Sequence, residues 1–323
     1  MHLAAITLFL LSFIASVHAH VLQKRDIRLS SWDIGDIILD VLYILVYLAC
    51  IVVGTKVARN LPGHRAPFII LIVASCLSIL HLILLIPFRI VNEKSPGIVN
   101  EDSPGIFDST SSADRLLSGV VFFQYWSYSI LYLALALVLF DRHRSILLGA
   151  FNKQDKIAFG ALFLVNAAFV AVATITAAMY AIGVDSVDRF SFGLQILLAV
   201  FSTIWGITTI AVSWTAGYVN SRSRRIGERD KVSRLMLVAI TPLIIILFAI
   251  GVTMTWLPFL VLATLLVDGL FCAITITLLA LGMRPELWRH KSSRVEELEG
   301  PAVNAGYANI DGSIQLKYAV RAN

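Results

Sequence analysis

Of 323 residues, 58% are hydrophobic and 15% charged, with a mean hydropathy of +0.82. Soluble domains run near half apolar and a quarter charged, so this surplus excludes a surface that faces water throughout. The formal charge of +5 does not point to nucleic acid, because the basic residues flank apolar blocks rather than forming a binding patch.

Residues 1–19 carry an apolar run from Leu3 to Val17 that ends in Val17-His18-Ala19. This predicts a cleavable signal peptide; a signal anchor is the alternative, against which stands an n-region without Lys or Arg. Lys24-Arg25 resembles a secretory processing site within a short outer segment over 20–33.

Seven apolar blocks follow, at 34–54, 67–88, 117–140, 157–182, 191–217, 235–255 and 258–282. Each reaches the roughly 20 residues a helix needs to cross a bilayer. The expected fold is therefore all-α: a polytopic membrane bundle of seven transmembrane helices over 34–283, with the lipid bilayer as its solvent. Cys50, Cys76 and Cys272 all lie inside these blocks, which gives neither a disulfide framework nor a C-x-x-C metal motif. Between the last two blocks, Pro258 suits the first turn of a new helix and predicts a tight hairpin. Pro242 in the sixth block predicts a kink, either a hinge or a static bend.

Orientation follows from the positive-inside rule. Seventeen Lys and Arg collect on one side, from Lys56 through the Arg222–Arg234 cluster to Arg294, against seven on the other, among them Arg89 and Arg189. The N-terminus is expected outside and a mostly disordered tail, 284–323, in the cytosol. The address is an integral membrane protein of the secretory pathway or plasma membrane.

The longest outer loop, 89–116, repeats Ser95-Pro-Gly-Ile98 as Ser103-Pro-Gly-Ile106 and then runs Ser-rich from Ser109 to Ser112. This reads as a duplicated flexible turn, with a binding epitope as the alternative. No N-x-[ST] acceptor occurs in the chain. In the tail, 285–299 can form a short surface helix through Leu287, Trp288, Val295 and Leu298, and Arg289-His-Lys-Ser-Ser293 reads as a phosphorylation site or a solvated stretch.

Ionisable groups inside a bilayer are costly and therefore candidate functional residues. Asp268 lies about 15 Å from the outer end of the seventh span, on a stripe with Thr264, Cys272 and Thr275. Asp36, Asp40, Tyr43 and Tyr47 form a similar stripe on the first span. With His81 on the second span and Gln124 on the third, Asp40 and Asp268 fall in the outer half. The third span adds Phe122, Phe123, Tyr125, Trp126, Tyr128 and Tyr132, spread around the helix so that part meets lipid. Asp268, Asp40, His81, Gln124 and Tyr128 are the candidate ligand or proton site, set against a buried network that only fixes helix register. Small residues mark the fourth span (Gly160, Ala167, Ala171, Ala178), and in the fifth Ser202/Gly206 and Ser213/Gly217 have small-xxx-small spacing for close helix contact.

An enzyme is not expected: there is no H-E-x-x-H, no G-x-x-x-x-G-K-[ST] and no G-x-S-x-G. Neither a cofactor nor a metal is expected, since His81 alone among the seven histidines lies inside a span and the last span has no Lys for retinal. Three classes remain. The first is a receptor or sensor for a small-molecule or peptide ligand from outside, with a cytosolic protein partner. The second is a small-solute or proton-coupled transporter, and the third a non-catalytic accessory protein that binds other helices.

At the end of the third span, Asp141-Arg142-His143 resembles the D-R-Y sequence at the same place in rhodopsin-like G-protein-coupled receptors. The resemblance covers three residues and the layout. It implies cytosolic coupling through Asp141 and Arg142, to which the basic Arg224 and Arg225 are added. Departures are clear: the third span lacks an outer Cys, the seventh lacks N-P-x-x-Y, the fourth lacks Trp and the second lacks Asp. No G-protein mechanism is carried over, and a charged stop at a helix end is the simpler reading. The signal peptide, dibasic site and short seven-helix body also look like seven-helix membrane proteins of fungi.

Overall fold

The computed structural model describes residues 31–92, 107–146, 153–182, 187–225, 230–256 and 261–288. The expected signal peptide, the Lys24-Arg25 pair, the two Ser-Pro-Gly-Ile turns, the Pro258 hairpin and the tail after 288 lie outside them. Among the described residues there is no strand. Seven α-helices follow one another among the described residues: α1 (Ser31–Asn60), α2 (Arg65–Asn92), α3 (Phe107–Ile146), α4 (Lys153–Ile182), α5 (Val187–Arg225), α6 and α7 (Val261–Gly282). α6 runs without a break from Lys231–Leu235 through a π-helical turn, Met236–Ile240, into Thr241–Trp256.

Among the described residues six helices are long and apolar enough to cross a membrane, within Gly35–Asn60, Arg65–Arg89, Leu116–Ile146, Lys153–Met179, Gln195–Arg225 and Lys231–Thr253. α7 contributes a shorter described apolar stretch, Leu266–Gly282. The architecture is compatible with a helical membrane bundle. Leu164, Ile210, Val238 and Trp214 are at least 60% exposed, as a surface that meets acyl chains requires. Several helices outrun the apolar blocks: α3 begins at Phe107 rather than 117, and α5 spans Val187–Arg225 rather than 191–217. Part of the loop expected over 89–116 is therefore helical. Backbone hydrogen bonding does not stop where hydrocarbon stops, so a helix continues until its sequence breaks it.

α1 packs on α2 and α7, α2 on α3, α4 on α3 and α5, and α6 on α5 and α7, while α3 also reaches α5. α3 is the central helix, the most deeply buried of these six. Its aromatic residues explain this. Tyr125, Tyr128 and Tyr132 are buried, and their rings meet Phe201 (4.2 Å, stacked), Trp205 (5.2 Å, stacked) and Phe169 (5.8 Å, edge-on). The aromatic-rich third span thus fills a core more than it lines a lipid boundary. Trp205 in turn contacts Phe248 of α6, and its ring lies where a Cβ on Gly251 would sit.

The small residues sort in two ways. Gly206 faces the Phe248 ring, with 3.0 Å to an added Cβ, so small-xxx-small spacing in α5 does admit α6 closely. In α4, however, Gly160, Ala167, Ala171 and Ala178 are exposed, whereas Phe159, Leu162, Asn166, Phe169, Ala173 and Thr176 turn inward.

Pro242 sits two residues past the π-helical turn. A proline lacks the N–H for the ladder and its ring clashes with the carbonyl four residues back. The wide turn relieves that clash: the backbone N–H of Thr241 bonds the carbonyl of Met236, five residues back, and its hydroxyl donates to the same oxygen at 3.1 Å.

Candidate functional site

Two polar clusters occupy opposite ends of the bundle. The first lies between α1, α2 and α7. Arg89, in the last turn of α2, places Nη1 2.9 Å from Asp36 and 3.6 Å from Asp40, one helical turn apart on α1. Asp40 is fully buried, and Asp268 on α7 is 3% exposed. Asp268 lies within electrostatic reach of both Asp40 and Arg89. The stripe Asp36, Asp40, Tyr43, Tyr47 faces inward as its spacing predicts, while Ile38, Leu39, Leu42 and Leu45 face outward. Tyr47 donates to the backbone carbonyl of Asp268 at 3.4 Å, and the Tyr43 hydroxyl approaches Gly269, with 3.0 Å to an added Cβ. A side chain at position 269 would require the Tyr43 hydroxyl to give way by a few tenths of an ångström.

Charge and hydrogen bonding are unbalanced in this cluster. Three carboxylates face one guanidinium. Both carboxylate oxygens of Asp40 and Oδ2 of Asp268 are buried with no hydrogen-bond partner among the described residues. Such groups are costly in an apolar surrounding unless something donates to them.

His81 is buried on α2, with Nδ1 3.0 Å from the carbonyl of Val120 on α3. A carbonyl only accepts, so Nδ1 carries a hydrogen, and Nε2 is buried without a partner among the described residues. Gln124 donates to the Tyr128 hydroxyl at 2.9 Å, and the Tyr128 ring lies 6.0 Å from Phe271 on α7. Tyr128 is within electrostatic reach of Asp268, and His81 of Arg89. The structure thus places Asp268 within electrostatic reach of Asp40 and of Tyr128, and holds Gln124 through Tyr128. The side chain of Thr264 lies outside the description.

Arg89 is the residue that sequence reasoning assigned elsewhere, counting it as an outer loop charge. Its signal was available: a single Arg two residues after Pro87 inside an apolar helix end, where a charge needs a partner.

The second cluster gathers around the end of α3, and each residue of Asp141-Arg142-His143 meets a different element. Asp141 lies 3.6 Å from Nδ1 of His64 in the turn after α1. Arg142 bonds both carboxylate oxygens of Asp230, with Nε at 3.4 Å from Oδ2. His143 places Nε2 2.9 Å from Asp155 of α4, which also accepts from the Tyr218 hydroxyl of α5 at 2.7 Å. Asp230 is itself the N-cap of α6, accepting from the backbone N–H of Val232 at 3.3 Å and Ser233 at 2.9 Å. Its own N–H donates to Ser223 of α5 at 3.1 Å. Arg224 and Arg225 are exposed on α5 beside this network.

Comparison with family models, with curated proteins and with solved structures found no match to this chain.

Proposed function

We propose that this chain is a seven-helix membrane receptor, with its N-terminus outside and its tail in the cytosol, that recognises an organic cation in its outer half. The observation behind this reading is the surplus of carboxylate: Asp36, Asp40 and Asp268 against Arg89, with buried oxygens that lack donors. An ammonium or guanidinium group supplies both missing items, positive charge and N–H bonds. Tyr128, Gln124 and His81 border that site. Binding draws α1, α2 and α7 together, and the clamp of Arg142 on Asp230 at the cytosolic end is the element whose opening a protein partner reads.

The test is a thermal-shift screen of amines, guanidines and basic peptides on detergent-purified protein, comparing the native chain with Asp268→Asn. A ligand that raises the midpoint of the native chain, and not of an equally folded variant, supports the reading. A variant that melts earlier, with neither form responding to any cation, assigns Asp268 to a structural network.

A second reading is favoured by the donor-free carboxylates, which are also what a proton-coupled carrier needs near mid-membrane. Its mark is uptake into proteoliposomes that follows an imposed pH gradient and disappears in Asp268→Asn.

A further inference from the structure

A groove of about 380 Å³ runs between α4 and α5 at the basic end of the bundle, walled by Ile157, Ala161 and Val165 on one side and Ala211 and Trp214 on the other. The alanines make the hollow, and Ile157 and Trp214, 61% and 60% exposed, are its rims. From Gln154 to Val165 it extends roughly 16 Å at 1.5 Å per residue. That is about half of a ~30 Å hydrocarbon layer, the depth of one leaflet.

Its mouth is cationic. Lys153 stands exposed in the first turn of α4, one turn before the Ile157 rim. On α5, Trp214, Tyr218, Arg222 and Arg225 follow one another at steps of four, four and three along one face. Trp214 stacks on Tyr218 with ring centroids 5.6 Å apart, and the Tyr218 hydroxyl bonds Asp155, which fixes the two helices at the level of Lys153. Arg222 and Arg225 lie within electrostatic reach of that hydroxyl. The described ion pairs engage none of these three cations, and the Nε of Arg222 is buried without a hydrogen-bond partner among the described residues.

We propose that the α4–α5 groove is a binding site for an anionic phospholipid of the cytosolic leaflet, one acyl chain lying in the groove and the headgroup held by Arg222, Arg225 and Lys153. The proposal rests on the membrane topology of the preceding reading, not on its ligand. A neutral lipid or a sterol fills the groove equally well and leaves the three charges unanswered. A second copy in a two-fold contact sets these cations against their own counterparts, which is repulsive. An anionic headgroup satisfies both halves of the site.

The experiment is native mass spectrometry of the full chain in detergent, titrated with dioleoyl phosphatidylserine or dioleoyl phosphatidylcholine. The native chain retains phosphatidylserine in preference. Arg222→Gln/Arg225→Gln weakens that preference by roughly fivefold for each charge removed, about 25-fold in all, whereas Arg222→Lys/Arg225→Lys keeps most of it. Ala161→Trp, which fills the groove and leaves the charges, lowers retention of both lipids. Equal retention of the two lipids by the native chain, or a preference untouched by the glutamine pair, overturns the proposal. So does a dimer that Ala161→Trp dissolves with no lipid bound, which makes the groove an interface between copies. Alkaline extraction of cell membranes tests membrane insertion separately: a chain released into the supernatant sinks the membrane reading, and one that stays in the pellet keeps insertion standing whatever the lipid site does.

Discussion

Arg142 at the end of α3 bonds the same carboxylate, that of Asp230, that caps the first turn of α6. One side chain therefore does two jobs: it starts a helix and it fastens that helix to the centre of the bundle. Asp230→Ala removes both, while Arg142→Gln removes only the fastening. Thermal unfolding in detergent is expected to place Asp230→Ala below Arg142→Gln by about 1 kcal/mol, the usual worth of an N-cap. Equal losses would mean that the cap adds nothing once the clamp is gone.

Arg89 balances two carboxylates at the opposite end. Arg89→Gln leaves Asp36 and Asp40 facing each other without a cation and is expected to cost about 3 kcal/mol. Adding Asp40→Asn to that variant should restore part of the loss, with a coupling of at least about 1 kcal/mol in a double-mutant cycle. Additive effects would show that the pair does not interact.

Tyr218→Phe deletes the bond to Asp155 and keeps the ring stacked on Trp214. A hydrogen bond to a charged acceptor is worth about 2 kcal/mol, so stability should fall by that order. Phosphatidylserine preference should not change, because the cations and the groove remain. A variant that loses lipid selectivity at full stability would assign the hydroxyl to the headgroup instead.

Gly251→Ala pushes a methyl group into the ring of Trp205. Overpacking of this kind costs about 1–3 kcal/mol and should shift the tryptophan emission as the ring moves. Gly160→Ala, where an added Cβ meets nothing within 4 Å, is the matched control: it should leave the emission alone and raise stability by up to about 1 kcal/mol, the gain of Ala over Gly inside a helix.

What the sequence made legible was whatever repeats along a single helix. The spacing of Asp36, Asp40, Tyr43 and Tyr47 declared an inward face because i, i+4 and i+3 steps are geometry, and the same held for the burial of Asp268 and Cys272. Illegible was whatever depends on a neighbour far along the chain. Arg89 looked like a loop charge because its partners lie about 50 residues earlier, a relation that no local pattern encodes. The tyrosines of α3 looked partly lipid-facing because Phe169, Phe201, Trp205 and Phe271, the rings that cover them, arrive from other helices. The triplet at the end of α3 read as a stop signal for the same reason: His64, Asp155 and Asp230 stand in three different elements, far apart along the chain. The small residues of α4 carried no such signal either way, since small size marks close contact only where a neighbour is present, and Gly160, Ala167, Ala171 and Ala178 are exposed.

The wide turn in α6 also sets the phase of that helix. Val232, Met236, Ile240 and Ile244 are all buried, at three successive steps of four residues. In an unbroken α-helix twelve residues at 100° each would leave Val232 and Ile244 about 120° apart around the axis. The surplus residue in Met236–Ile240 absorbs this drift, so the half that carries Asp230 and the half that packs on Trp205 present one common face. Removing one residue there would turn the lower half like a dial, carrying Asp230 out of line with Arg142 while leaving every contact of Phe248 in place.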